Sequence, residues 1–168
     1  FVHQFKMPSV PSPEDLPTDI ERVEKSLLRL TEEQRKTFCR ERPIELRRVE
    51  VIDFANPKKR SPVQHIWLRS KERLGDQYSE HQGFLAYASD MGLLSTSSLP
   101  HGMSWLNGLQ TASLDHSMWF HDSFRMDKWI LAVIESPKAS NNRAFNRGLM
   151  FSAEGDLIAS VSQEGLMR

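Results

Sequence analysis

The stretch TASLDHSMWFH, residues 111–121, carries hydroxyls, a carboxylate and two imidazoles inside a run of strand-forming residue types. Read with the two-residue period of a strand, Ala112, Leu114, His116, Met118 and Phe120 share one face, and Ser113, Asp115, Ser117, Trp119 and His121 share the other. A metal centre would need His116 and His121 to converge. They fall on opposite faces with no third ligand at useful spacing, and the single Cys39 excludes any cysteine-rich site. A nucleophilic serine would need a base beside Ser113, yet no G-x-S-x-G elbow surrounds it and His116 is predicted on the opposite face. The plain alternative is a serine that faces solvent.

Two further polar residues stand among apolar ones. In the helical segment HQGFLAYASDMGLL, Phe84, Tyr87, Ala88, Met91 and Leu94 are predicted to form an apolar face. Gly83, Ala86 and Asp90 form a separate stripe of small side chains that permits close approach of a sheet or a ligand. Asp90 then lies near the helix C-terminus, where the macrodipole disfavours a carboxylate by about 0.3–1 kcal/mol. That placement suits a proton acceptor, or else a plain exposed aspartate at a helix end. In the last strand Leu157, Ala159, Val161 and Gln163 share a face, so Gln163 ends an apolar row. A buried amide must find partners or cost about 1–3 kcal/mol; the alternative is a strand end that reaches water. The stretch NNRAFNRG, with Lys138, Arg143 and Arg147, reads as a solvated turn rather than a phosphate site.

The elements that position these residues follow from periodicity and chain breakers. Residues 1–17, FVHQFKMPSVPSPEDLP, hold four prolines after a strand-like start, as the end of one element followed by an extended linker. A start in mid-strand implies a preceding portion. Thr18 is predicted to cap a helix with a stripe of Ile20, Val23, Leu27 and Leu30, and Thr31 with Gln34 has capping-box spacing. From Pro43, IELRRVEVIDF changes its apolar phase near Arg47 and Arg48, which a β-bulge would explain. VQHIWLRS, the stretch at 111–121, WILAVIE, RAFNRGLMFS and LIASVSQEGLM complete the strands, the last two joined as a hairpin through AEGD. One long helix among five or six mostly antiparallel strands is an α+β pattern. A curved antiparallel sheet wrapped around that helix buries it most simply.

Composition narrows the function classes. With 168 residues and 39% hydrophobic content the chain can build a core, and Lys+Arg and Asp+Glu both number 22, so no net field draws nucleic acid or an anionic membrane. The lone cysteine suits a reducing compartment. The longest apolar run, Trp129 to Ile134, is too short to span a bilayer, and Phe1 to Val10 lacks the apolar centre of a secretory signal. A soluble intracellular protein is expected.

Taken in order, SLDHSMWFH, ESPKASNNRAFNRG and GDLIASVSQEGLMR resemble the C-terminal half of the type II acyl-CoA thioesterases. Upstream, MPSVPSPEDLP, RPIELRRVE and HQGFLAYASD resemble the linker, first strand and central helix of the same family, so the resemblance runs over nearly the whole chain. It implies a hotdog fold within a double-hotdog protein. Residues 1–42 would be the tail of the preceding hotdog strand, a Pro-rich linker and a bridging helix, and residues 43–168 the C-terminal hotdog domain. The family's hydrolytic set is an Asp in the helix, a hydroxyl two residues before the Asp of D-H-S, and the Gln of Q-E-G. Carried over, these fall on Asp90, Ser113 and Gln163, the three residues that stand out above. Asp115, His116 and His121 are then expected to brace the strand and its neighbouring loop through hydrogen bonds.

The reaction this resemblance implies is hydrolysis of a fatty acyl-CoA thioester to fatty acid and CoA by direct attack of a water held by the three residues. Backbone N–H groups near the helix would stabilise the oxyanion, Phe84 and Trp129 would line the acyl slot, and no cofactor or metal is called for. The implied partners are the acyl-CoA substrate and an N-terminal hotdog half of the same protein or a second copy, in a homo-oligomer; neither nucleic acid nor membrane is expected. Two other roles stay open. One is a non-catalytic acyl-CoA-binding half that packs on an active twin. The other is a hotdog hydratase or dehydratase, for which the helix offers only His81, far from Asp90. Serine rather than threonine at 113 resembles the peroxisomal branch, so a peroxisomal location is expected, with the cytoplasm as alternative. The Ser-Lys-Leu type tripeptide of peroxisomal members is not at Leu166-Met167-Arg168.

Overall fold

A computed structural model of the chain describes residues 1–19, 21 and 30–168. Thr18 caps as expected: its Oγ1 accepts from the Glu21 N–H at 3.3 Å, and the Glu21 carboxylate accepts from the Thr18 N–H at 2.7 Å. The stripe expected over Ile20, Val23 and Leu27 lies outside the described residues. Helix α1 (Glu32–Phe38) opens on the capping box of Thr31 and Gln34.

Among the described residues seven strands form one antiparallel sheet: β1 (Ile44–Arg48), β2 (Val63–Ser70), β3 (Thr111–Ser113), β4 (Ser117–Phe120), β5 (Ile130–Ser140), β6 (Arg143–Ser152) and β7 (Leu157–Met167). Their order is β1-β2-β5-β6-β7, with β3 and β4 both paired to β7. Helix α2 (Tyr78–Ser89) packs Leu85 and Ala88 on the inner face of the sheet against Ile66, Leu68, Ala132, Ile134 and Met150. After a turn at Gly92, α3 (Leu93–Thr96) continues over the same face.

The outer face is also buried. Trp67, Trp129, Leu131 and Phe151 form a second cluster beneath Met7, Val10 and Leu16, so the N-terminal segment lies as a strap across the sheet. Polar bonds pin it: Trp67 Nε1 donates to the Pro11 carbonyl at 3.0 Å, Trp129 Nε1 to Glu14 Oε1 at 2.9 Å, and the Gln4 amide to the Gly155 carbonyl at 2.8 Å. This accounts for the continuous apolar run of β5, whose residues alternate between two dry faces. Residues 1–5 make no strand in this structure.

Four expectations are corrected. The phase change in β1 is not a bulge, because pairing runs evenly from Ile44 opposite Ser70 to Arg48 opposite Ile66. Ile44 and Leu46 face inward, and Val49 joins the outer cluster. On α2 the buried set is His81, Leu85, Ala88 and Ser89, with Phe84 half-buried and Tyr87 exposed; two polar residues occupy the core-facing stripe, which hides its phase. Leu157 does not share the inner face with Ala159 and Val161, since a register shift between Met150 and Phe151 turns it outward. Trp129 also belongs to the outer face and lines no slot beside Asp90; Arg69 stacks over its ring at 4.2 Å.

The loops at the start of α2 are clasped. Arg125 donates to Asp76 and Asp127, each at 2.8 Å, and to the Leu74 carbonyl at 2.9 Å, while Asp127 accepts from the Leu74 N–H at 3.1 Å. The Arg125 guanidinium holds the Asp127 carboxyl well below the usual carboxylate range.

Candidate active site

Three pieces of local structure meet at one end of α2. Asp90 is the C-cap of that helix, and Gly92 at φ +97° turns the chain back over the sheet. Packing of α3 on β7 is close: a Cβ on Gly165 would lie 2.4 Å from Leu94 Cδ1, so the glycine of Q-E-G is a clearance. The third piece is a break in the strand over 111–121. Ser113 pairs with Gly165 but Ser117 pairs with Ser162, so four steps along one strand oppose three along the other. The N–H groups of Leu114 and Asp115 both point to the Glu164 carbonyl, at 2.9 and 3.4 Å. The bulge brings Ser113 and His116, expected on opposite faces, to the same side of the sheet.

The three residues expected to act together do converge. Asp90 Oδ1 lies 2.6 Å from Gln163 Nε2 and 3.5 Å from Ser113 Oγ. Asp90 and Ser113 are exposed, whereas Gln163 is 1% exposed. They line an open groove of about 790 Å³ together with Ala86, Tyr87, Met91 and His116, and with Arg40 and Arg42 from the segment between α1 and β1. Those arginines add positive charge at the rim. Nothing in their spacing along the chain points to the groove, because only the fold brings them there.

Strand periodicity sets His116 on the face opposite Ser113, but both line the groove. Its Nδ1 is 3.1 Å from Gln163 Nε2 and its Nε2 is 2.8 Å from Ser89 Oγ, which in turn donates to the Ala86 carbonyl at 2.7 Å. Asp115 and His121 brace the strand as expected: Asp115 Oδ1 accepts from the Glu164 N–H, and His121 Nε2 meets Ser160 Oγ, each at 2.8 Å. Across the sheet from Gln163 stands Asn146, fully buried. Both its amide atoms, and Gln163 Oε1, have no partner among the described residues.

His81 does not serve the groove. It is 2% exposed, its Nε2 donates to the Gly75 carbonyl at 3.0 Å, and its Nδ1 accepts from the Met126 N–H at 3.1 Å. Both ring nitrogens are thus committed to tethering loops. The pairing of His81 with Asp90 that a hydratase reading would need is not made.

The profile of the family described as Acyl-CoA thioesterase matches residues 33–166. The chain belongs to the acyl-CoA thioesterase family. "Acyl-CoA thioesterase 2" of Haemophilus influenzae is 36% identical over 169 residues, covering 100% of this chain and 59% of that protein. Among solved structures, acyl-CoA thioesterase II TesB2 from Mycobacterium marinum superposes with a TM-score of 0.74 at 35% identity, over 100% of this chain and 57% of that one. A hotdog protein from Alicyclobacillus acidocaldarius, at 16% identity and a TM-score of 0.70, covers 100% of this chain and 56% of its own, and shows the fold alone. The sheet wrapped around α2 is a hotdog, as expected, and the chain spans somewhat over half the length of these relatives. Within this acyl-CoA thioesterase-family chain, the groove at Asp90 gathers a carboxylate, a hydroxyl and a carboxamide around one point.

Proposed function

We propose that the protein hydrolyses fatty acyl-CoA thioesters and that the groove at Asp90 is where it does so. The observation that carries this reading is the meeting of Asp90, Ser113 and Gln163 within hydrogen-bond reach, on three separate elements, in a chain of the acyl-CoA thioesterase family. Asp90 Oδ1 is held by Gln163, and Oδ2 has no partner among the described residues, so it can take a proton from an attacking water. Ser113 Oγ, on the open side, orients that water by donating to it or accepting from it. The water attacks the thioester carbonyl carbon, the C–S bond breaks, and the CoA thiolate leaves. Gln163 acts by holding the base, since its N–H groups face Asp90 and His116 and its Oε1 is buried. Arg40 and Arg42 place positive charge where the phosphates of CoA approach.

Residues 43–168 are on this reading the second of two hotdog units, with 1–42 the tail of the preceding strand, the linker and the bridge. The partner is an N-terminal unit of the same protein or a second copy. Ser113 favours a peroxisomal location through its likeness to that branch, and imaging of the tagged whole protein tests it. The direct test of the reaction is Asp90→Asn in the whole protein. Thiol release from acyl-CoA is expected to fall about 10²–10⁴-fold, because asparagine cannot accept the proton, while binding of a non-hydrolysable acyl-CoA analogue is kept. Near-parental kcat would remove Asp90 from the mechanism and favour a non-catalytic half.

A further inference from the structure

Gln163 sits in a hydrogen-bond chain whose every direction is forced. An ionised carboxylate only accepts, so the Gln163 atom 2.6 Å from Asp90 Oδ1 is the amide nitrogen. The same nitrogen faces His116 Nδ1 at 3.1 Å, and an amide N–H cannot accept, so Nδ1 is bare and the neutral ring carries its proton on Nε2. Ser89 Oγ, 2.8 Å from that Nε2, can accept it because the serine's own proton goes to the Ala86 carbonyl. Both ends of the chain are anchored on α2, at Ala86 and at Asp90. The bulge at 114–116 supplies the middle.

A carboxamide is nearly symmetric in shape, so a flip of Gln163 would exchange oxygen for nitrogen without moving a neighbour. The flipped form would turn Oε1 on the Asp90 carboxylate and release it. Asp90 and His116 are both exposed, where water can take over hydrogen bonds, but the far side of the His116 ring is held by the buried Ser89, so Asp90 is the weaker selector alone. We propose that His116 is a positioning residue: its Nε2–H tautomer, set by Ser89 and the Ala86 carbonyl, locks the Gln163 carboxamide in the orientation that holds Asp90. The inference rests on the proposed hydrolysis only for its kinetic consequence.

The test uses the whole protein. Long-range ¹H–¹⁵N NMR of the His116 ring is expected to show the Nε2–H tautomer; a dominant Nδ1–H form overturns the proposal whatever the activity. In kinetics, His116→Ala is expected to lower kcat about ten- to hundredfold with KM within about threefold, the size of a misplaced reacting group. His116→Asn, whose Oδ1 can accept near the Nδ1 position, is expected to recover most of that loss, and Ser89→Ala to show a smaller one. The deciding comparison adds His116→Ala to Gln163→Ala. No further loss of kcat is expected, whereas losses that multiply would show His116 acting independently of Gln163 and overturn the proposal. A protein with the Nε2–H tautomer that hydrolyses no acyl-CoA would support the relay and sink the proposed reaction.

Discussion

Gln163 and Asn146 are neighbouring buried carboxamides on adjacent strands with opposite consequences. Gln163 uses its N–H groups on Asp90 and His116, so its exchange for glutamate removes a donor and sets a second carboxylate against Asp90. Two carboxylates at that distance share a proton, which blocks the base. Gln163→Glu is therefore expected to lower kcat about 10²-fold or more with circular dichroism unchanged, whereas Ser113→Thr, which keeps the hydroxyl, retains most activity. Asn146 has no protein partner for either amide atom among the described residues. A buried amide left unpaired costs about 1–3 kcal/mol, so Asn146→Leu is expected to raise the urea midpoint, and a lower midpoint would mean that the amide is bonded in solution.

At the scale of elements, the contact of α3 on β7 is set by the absence of a side chain at Gly165. Gly165→Ala would drive a methyl into Leu94, at 2.4 and 2.8 Å from its two terminal carbons, and is expected to cost about 1–3 kcal/mol. Adding Leu94→Ala should relieve the clash, so a double variant that loses more than both singles combined would contradict the packing. The clasp below α2 gives a pH dependence. Asp127 is depressed by the Arg125 hydrogen bonds, so its stabilisation is full above the unfolded carboxylate value of about 3.9 and drains away as pH falls toward the lower folded value. Asp127→Asn is expected to flatten the acid limb of a thermal-stability profile below about pH 4; an unaltered slope would exclude the clasp as its source.

These elements also show what a sequence can disclose. Asp90 and Gln163 drew notice as polar residues beside apolar rows and Ser113 through the family resemblance, and the fold brings the three together. His116 was expected as a brace, as its bonds to Gln163 and Ser89 make it, but its place on the side of Ser113 was not, because the bulge arises from pairing with β7 and leaves no mark on the 111–121 alternation. The face of α2 was misphased because His81 and Ser89, polar residues with internal partners, occupy buried positions that hydrophobicity cannot identify. Trp129 was assigned to the wrong side because a strand buried on both faces gives no cue to which is which.

For the whole molecule, the margin formed by β3 and β4 leaves apolar groups in solvent: Leu114 is 51% exposed and Trp119 53%. Such a border suits coverage by another hotdog unit, and the chain by itself is expected to associate in sedimentation at about micromolar concentration; a stable monomer there would count against the double-hotdog arrangement. Removal of residues 1–17 should uncover Trp67 and Trp129, read as a red shift in tryptophan emission and a lower melting temperature. The strap also bears on how the chain emerges from the ribosome. Gln4 bonds to Gly155 across 151 residues, so at about 5–20 residues per second the strap leaves the tunnel some 8–30 s before its resting place exists. For that interval Met7, Val10 and Leu16 have no outer face to cover, and they form a nascent sticky segment open to a holding chaperone.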